Sequence, residues 1–444
     1  MTSGPEQRRY TLAAYRSLPI TFVRRVLFGR DPYWRQYFWS RWGFVSDALR
    51  AAVRGRPVVL IDAISGGEVT QSVTFCRKLR AALPGHALVL STANRYSFEF
   101  ASKNLDVDAV IESPWDSRGP VRRFLRALAP AAIAGVENLS APVLFREASR
   151  RGIPTVLVSG LMSANFDRHP MIQRALESHA FAEVDGIGAK SDEDVRGFVA
   201  RGVAPERVTV TGNMKFDLAY LHVSDTERAA LRGALQLTDD EPVLLAASLH
   251  PGEEELVGEA YVEARRTIAG LRLVLVPRYA AHVGAMIERL RGFGLTCVLR
   301  TTLHRARAGA GDIIVVDTFG ELNRLYALSS AVFLGGTTYL RNAVGAGQNP
   351  IEPLAQRRPL FFGPYMGLWR YVTEPLKAAW PGVEVATAKE LAAGVIAVAE
   401  DAALAMRLEA CVDEILAAHR DDVTRNVELV AAAVATTRRR HAGR

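Results

Sequence analysis

The chain has 444 residues, 49% hydrophobic and 23% charged, which is enough for two or more domain cores. Its formal net charge is +8, and its three widely spaced cysteines (Cys76, Cys297, Cys411) argue against both a disulfide framework and a zinc cluster. No apolar run reaches membrane-spanning length and no secretory signal pattern is seen, so we expect a cytoplasmic protein.

Residues 1–56 form a basic, aromatic segment. Between Gln7 and Ile61 there are eleven arginines and eleven aromatic residues but only two acids. This composition suits an anionic membrane surface, where rings lie among the headgroups and arginine meets lipid phosphate. The alternative is a helical hairpin that packs its rings on the first domain. Nucleic-acid binding is disfavoured because no recognition motif accompanies the charge.

From Pro57 onwards, short apolar runs alternate with helix-length segments, which predicts parallel sheets covered by helices on both faces. The predicted strands of the first half are 57–63, 87–91, 109–111, 131–136, 155–159, 185–189 and 208–210. Those of the second half are 242–247, 271–276, 297–300, 312–316, 331–334 and 360–362. Helical spacing covers 68–82 and the Ala-rich stretch from Ala388 to the end, where a long C-terminal helix could return to the first domain.

The predicted fold is therefore α/β, with two Rossmann-like domains facing across a cleft, the architecture called GT-B, preceded by the basic N-terminal helical segment and followed by a long C-terminal helix. The predicted boundaries are 1–56, 57–215, 216–400 and 401–444. This architecture also hosts epimerases and phosphorylases, so the fold alone does not decide the function.

Ligands of such sheets bind beyond the carboxyl ends of the strands, so the loops there are the candidate sites. The first strand is followed by Ser65-Gly66-Gly67-Glu68. Glu68 either takes a proton from a substrate hydroxyl or only complements a helix N-terminus, worth at most about 1 kcal/mol. Later loops of this half contain Glu137 and Lys215, and Lys215 either reaches a phosphate or is a solvated linker lysine.

The second half repeats this arrangement. His250 follows one strand, where a single histidine is more often a cap or a packed ring than a ligand group. Arg278 follows the next strand, and its guanidinium would suit a phosphate. The stretch 331–364 reads as strand, glycine-rich loop, helix start and strand, which is either an anion site or a tight turn.

Taken in order, these motifs resemble the 3-deoxy-D-manno-octulosonic acid (Kdo) transferases over about residues 57–400. The most specific strings are Gly212 to Asp217, GNMKFD, and Gly347 to Pro353, GQNPIEP. Members of that family are inverting GT-B enzymes that move Kdo from CMP-Kdo to lipid A precursors at the cytoplasmic face of the Gram-negative inner membrane.

The resemblance implies a glycosyltransferase of lipopolysaccharide or surface-glycan biosynthesis that needs no cofactor or metal, with Glu68 as general base. It implies that residues 57–215 hold the acceptor and residues 216–400 the CMP-sugar donor. The implied donor-binding residues are Lys215, Arg278, Gly320, Glu321, Gly335, Gly336, Thr337, Asn349 and Glu352. Possible acceptor or cleft residues are Ser65, Gly67, Glu137, Ser163 and His250. The expected partners are a CMP-sugar and a lipid-linked or glycan acceptor. We also expect peripheral contact with an anionic membrane, at the cytoplasmic face of the inner membrane.

Departures from the family pattern concentrate in the first domain. The family string Glu-x-Glu-Leu-Trp-Pro-Asn is here ENLSAPV, from Glu137 to Val143, without the second carboxylate, the Trp and the Asn. The donor half is largely kept, so the acceptor need not be the usual lipid A precursor. Two alternatives stay open: a non-catalytic relative that binds a nucleotide or a partner, and a GT-B sugar-nucleotide epimerase.

Overall fold

The computed structural model describes residues 32–162, 179–217, 223–305, 308–309, 311–318, 320–339 and 347–442. The chain divides into two compact units. Unit 1 comprises Met1–Asp217 and His419–Arg444, and unit 2 comprises Leu218–Ala418.

Unit 1 contains a seven-stranded parallel sheet with the order β3-β2-β1-β4-β5-β6-β7. Its strands are β1 (Val58–Asp62), β2 (Ala87–Thr92), β3 (Ala109–Glu112), β4 (Pro130–Val136), β5 (Thr155–Gly160), β6 (Gly186–Ala189) and β7 (Val208–Val210). Its first eight described helices are α1 (Pro32–Arg41), α2 (Asp47–Ala52), α3 (Gly66–Thr70), α4 (Val73–Ala82), α5 (Arg95–Asn104), α6 (Arg118–Leu128), α7 (Pro142–Ser149) and α8 (Asp192–Ala200). Alternate residues of β1 enter separate apolar clusters on the two faces of the sheet.

Unit 2 contains a six-stranded parallel sheet with the order β10-β11-β9-β8-β12-β13. Its strands are β8 (Val243–Leu249), β9 (Arg272–Pro277), β10 (Cys297–Leu299), β11 (Ile313–Val315), β12 (Ala331–Leu334) and β13 (Leu360–Phe362). Its described helices are α9 (Asp225–Ala234), α10 (Glu253–Ala264), α11 (Val283–Gly292), α12 (Leu322–Leu328), α13 (Ile351–Ala355), α14 (Arg370–Ala379), α15 (Ala388–Glu400) and α16 (Ala402–Ala418). The predicted fold of two Rossmann-like domains is confirmed.

Two stretches with continuous helical spacing are broken in the structure. The predicted helix over 68–82 forms α3 and α4, which are separated at Gln71 and Ser72. There the Ser72 hydroxyl donates to the carbonyl of Glu68, and the Gln71 side chain donates to Glu137. The stretch from Ala388 onwards is helical as predicted and forms three successive helices.

The last helix, α17 (Asp422–Ala442), packs on unit 1, as the C-terminal helix was expected to do. Its valines at 423, 427, 430 and 434 enter the apolar cluster on one face of the sheet. Asn426 Oδ1 accepts hydrogen bonds from Ser159 N at 2.8 Å and Thr211 Oγ1 at 2.9 Å. Asp422 accepts one from Asn213 N at 2.6 Å. The helix therefore ties the ends of β5 and β7 together.

The described part of the N-terminal segment packs on the rest of unit 1. Packing on the first domain was the alternative to a segment that contacts only the membrane. The Tyr33 hydroxyl donates to Glu112 Oε1 at 2.6 Å, and the ring of Trp42 lies edge-on to Trp115 at 4.7 Å. Trp39 and Phe44 stay exposed, at 49% and 44%. Residues 1–31 lie outside the described part of the chain.

Candidate functional site

The loop after β1 closes the N-terminus of α3 with a reciprocal cap. The Ser65 hydroxyl accepts a hydrogen bond from Glu68 N at 3.3 Å, and Glu68 Oε2 accepts from the N–H groups of Ser65 at 3.0 Å and Ile64 at 2.6 Å. Glu68 is only 5% exposed. The carboxylate thus caps the helix and also lies at the sheet edge where ligands bind.

The pKa of Glu68 lies well above that of an exposed glutamate. Burial raises the pKa of its carboxyl to about 7, and the charges of Glu137 and Asp62 add to this, while the backbone hydrogen bonds from Ser65 and Ile64 oppose it. A carboxyl that exchanges its proton near neutral pH is suited to general base chemistry.

Glu137 stands at the end of β4 with a positive φ of 64°, which is uncommon for a residue with a side chain. Its carboxylate is contacted by Lys190 Nζ at 2.6 Å, Lys215 Nζ at 3.0 Å and Gln71 Nε2 at 2.7 Å. Although burial disfavours the charged carboxylate, Lys190 and Lys215 hold the pKa of Glu137 well below its usual range. These three ionisable groups together carry one uncompensated positive charge.

The sequence analysis did not predict Lys190 as a site residue, because one lysine after a short strand forms no motif. It directly follows β6, and its side chain is 3% exposed. Burial lowers the pKa of Lys190 to about 8, against the attraction of Glu137. Its one sequence signal is a charge between a buried strand and the capping residue Ser191 of α8.

Unit 1 brings together several residues predicted for different roles. Lys215, predicted for the donor, pairs with Glu137, predicted for the acceptor or cleft. Ser65 and Gly67 flank Glu68 at the same sheet edge, and a side chain built on Gly67 would meet no atom within 4 Å. Ser163 lies outside the described residues.

His250 stands in unit 2, apart from the other predicted acceptor residues. It follows β8 and is 2% exposed. Its Nε2 lies 3.2 Å from Gln348 Nε2, and Tyr279 lies edge-on to its ring at 5.5 Å. A Cβ built on Gly336 would lie 2.7 Å from His250 Cδ2, so His250 lies directly against a residue predicted for the donor.

The turn formed by residues 335–338, which we call the donor turn because the sequence predicts that it binds the donor, binds a carboxylate of its own chain. The N–H groups of Gly336, Thr337 and Thr338 donate to Glu253 at 2.6, 3.1 and 3.3 Å. The Thr338 hydroxyl donates to the same carboxylate at 2.8 Å. The turn thus has anion-binding geometry, and in this structure its anion is Glu253.

Arg278, Gly320 and Glu321 line one cavity of unit 2, of about 170 Å³, at the carboxyl ends of β9 and β11. Glu321 accepts a hydrogen bond from the Thr318 hydroxyl and lies 3.4 Å from Arg300. The cavity therefore combines a guanidinium with carboxylate and hydroxyl groups, a set that can bind a polar, charged ligand.

Asn349 and Glu352 bond to each other at the start of α13. Asn349 Nδ2 donates to Glu352 Oε1 at 3.1 Å, and Asn349 Oδ1 accepts from Ile351 N at 3.1 Å. The Asn-Pro-Ile-Glu string thus orders its own helix start.

Within the described parts of the chain, no three His, Cys, Asp or Glu side chains are grouped so that they could hold a metal ion. The helices described in both units are each too short or too polar to cross a bilayer.

Known proteins share both sequence and fold with this chain. Residues 36–218 match the family model of 3-deoxy-D-manno-octulosonic-acid transferase (kdotransferase). A 3-deoxy-D-manno-octulosonic acid transferase of Haemophilus influenzae is 26% identical over 341 residues, 75% of this chain and 76% of that protein. One of Chlamydophila psittaci is 28% identical over 313 residues, 70% of each. The structure of Anabaena HepE in complex with UDP-glucose has a TM-score of 0.59 at 15% identity and covers 85% of this chain and 99% of that one. This last similarity concerns the fold alone.

Proposed function

We propose that the chain is a member of the 3-deoxy-D-manno-octulosonic acid (Kdo) transferase family and that it moves Kdo from CMP-Kdo to a lipid-linked or glycan acceptor. As a glycosyltransferase of this family it serves lipopolysaccharide or surface-glycan biosynthesis. The comparisons favour this prediction over the epimerase and the non-catalytic alternatives. In the proposal, unit 1 receives the acceptor and unit 2 the CMP-sugar.

The observation that carries the proposal is the placement and titration of Glu68. The acceptor hydroxyl oxygen attacks the anomeric carbon of Kdo while its proton passes to the Glu68 carboxylate. The bond between the anomeric carbon and the phosphate oxygen breaks, and CMP leaves with the electron pair. Attack from the face opposite CMP inverts the configuration. The pKa of about 7 supports this role, because the carboxylate is ionised and still basic near neutral pH.

The positive charge around Glu137 supports binding of an acidic sugar. Kdo carries its carboxylate on the anomeric carbon, which is the atom that reacts. Lys215 is the more exposed lysine of the pair, at 19% against 3% for Lys190. We assign Lys215 to this carboxylate and Arg278 to the phosphate, since both groups are anionic. The leaving group is a monophosphate, which such cations stabilise without a divalent metal.

The first-domain loops support an acceptor that differs from the usual lipid A precursor. Leu139 stands where the family has a second carboxylate, and it is 3% exposed in the apolar core. The exposed rings of Trp39 and Phe44 support peripheral contact with an anionic membrane, where a lipid-linked acceptor would reside.

A transfer assay tests the proposal. Purified protein with CMP-Kdo should release CMP when it is offered a set of lipid-linked and glycan acceptors that includes lipid A precursor, and Glu68→Ala should abolish the release. Because this variant also removes a helix cap worth about 1 kcal/mol, Glu390→Ala, which breaks the equivalent cap of α15, is the matched control and should keep full activity.

Three outcomes count against the proposal. Absence of turnover on lipid-linked and glycan acceptors, in a folded protein that binds CMP in calorimetry, would favour the non-catalytic alternative. Conversion of UDP-sugars without an acceptor would favour the epimerase. Wild-type turnover in Glu68→Ala would remove this residue from the mechanism.

A further inference from the structure

Glu253 joins two loops at the carboxyl edge of the unit 2 sheet. It opens α10, after the loop that follows β8, and it contacts the donor turn, which follows the neighbouring strand β12. Its Oε2 accepts from His250 N at 2.9 Å and from Gly336 N at 2.6 Å, and its Oε1 accepts the three hydrogen bonds from Thr337 and Thr338. One carboxylate thus takes five hydrogen bonds from two segments.

This arrangement is more elaborate than a helix cap requires. Glu253 is 1% exposed, and a buried carboxylate is tolerated only when its oxygens are well hydrogen-bonded. Four of the five donors are backbone N–H groups, whose positions depend on the path of the chain. Glu253 therefore fixes the backbone of the donor turn relative to the backbone at His250.

Residues predicted for the donor depend on these two loops. Leu249, the last residue of β8 and the neighbour of His250, accepts a hydrogen bond from Arg278 N at 2.8 Å, so the end of β8 also places Arg278. A Cβ on Gly336 would lie 2.7 Å from His250 Cδ2, so the donor turn packs directly on the histidine ring. Movement of the turn would shift His250 and, through its ring contact, Tyr279, which is the neighbour of Arg278.

We propose that Glu253 is a positioning residue that holds the donor turn and the loop after β8 in the register that binds CMP. This inference rests on the proposed function. The turn's N–H groups are committed to Glu253, so the turn serves the donor through its shape and its contact with His250, while Arg278 meets the phosphate.

The next residue provides a matched control. Glu254 is also buried, at 0% exposed, and also lies in the first turn of α10. Its carboxylate accepts from Gly252 N at 2.7 Å and pairs with Arg289 at 3.0 Å. Replacing Glu254 therefore removes a buried carboxylate from the same helix turn without removing a contact described above for the donor turn.

The experiment compares wild-type protein with Glu253→Gln and Glu254→Gln in two measurements. Hydrogen exchange without nucleotide should accelerate about tenfold or more over residues 335–338 in Glu253→Gln only. Calorimetry should show CMP binding weakened about tenfold in Glu253→Gln, because charge-assisted hydrogen bonds are lost, and nearly unchanged in Glu254→Gln. Both variants should lower the melting temperature.

If Glu253→Gln does not fold, Thr338→Val removes one of the five hydrogen bonds and should show both effects at about two- to threefold. Unchanged exchange at 335–338 would overturn the inference. Faster exchange with wild-type CMP affinity, or equal loss of affinity in both glutamate variants, would overturn it as well. If the wild-type protein does not bind CMP, the proposed donor is wrong, and the exchange data alone decide whether Glu253 holds the turn.

Discussion

The pH dependence of the transfer reaction should report the titration of Glu68. Its pKa is raised from 4.5 to about 7, so ionising this carboxyl is about 3 kcal/mol harder than for an exposed glutamate. Only the ionised form accepts a proton. Below pH 7, kcat/KM should therefore fall about tenfold per pH unit, whereas an unperturbed glutamate would keep the rate level down to about pH 5.

Two variants test the electrostatic cause. Glu137→Gln removes a negative neighbour of Glu68, so the acid limb of the profile should move to lower pH. Lys190→Met leaves the charge of Glu137 less compensated, so the limb should move to higher pH. Each shift should be about half a unit to one unit, because the charges act through a partly buried site.

The assay is CMP release at low substrate concentration, from pH 5 to 9 at constant ionic strength, since kcat/KM reports groups of the free enzyme. Glu68→Gln should be inactive throughout this range. A level profile down to pH 5, shifts of the two neighbour variants in the same direction, or a retained acid limb in Glu68→Gln would each refute the reasoning.

Three further predictions concern stability, metal and membrane. Glu137→Gln should cost about 3–5 kcal/mol in urea unfolding, because the buried Lys190 and the partly buried Lys215 both lose their carboxylate, and Lys190→Met only about 1–2 kcal/mol, because Lys215 still pairs with Glu137. Equal losses of unfolding free energy in the two variants would contradict the sharing of Glu137 between Lys190 and Lys215. EDTA should leave the transfer rate unchanged, and a loss that Mg²⁺ restores would contradict the metal-free mechanism. Replacing Trp39 and Phe44 by serine should weaken sedimentation with phosphatidylglycerol vesicles without changing CMP affinity, whereas Met406→Ser, an exposed apolar residue of unit 2, should change neither.

Sequence predicted the strands well because parallel sheets are buried on both faces. All five residues of β1 and all four of β12 are buried, so each appears as an uninterrupted apolar run. Their ends coincide with the predicted ranges to within about two residues. The order of strands in each sheet was not predicted, since apolar runs do not specify their neighbours.

Sequence could not reveal the partners of the charged groups at the two sheet edges. Lys190 meets Glu137 from 53 residues away, and Glu253 meets Gly336 across 83 residues. The family resemblance drew attention to the glycines of the donor turn but not to the carboxylate that fills it. In the same way, helical spacing continues through Gln71, where a side-chain contact with distant Glu137 accompanies the break.

The return of α17 to unit 1 has a consequence for synthesis on the ribosome. Unit 2 is continuous from Leu218 to Ala418 and is complete before α17 has been translated. Unit 1 lacks four core valines until that helix emerges, although its sheet is made first. Part of the apolar surface of the N-terminal half therefore stays uncovered while the C-terminal half folds. A stop codon shortly before residue 422 would consequently disable the unit that carries Glu68 while leaving every proposed site residue in the product.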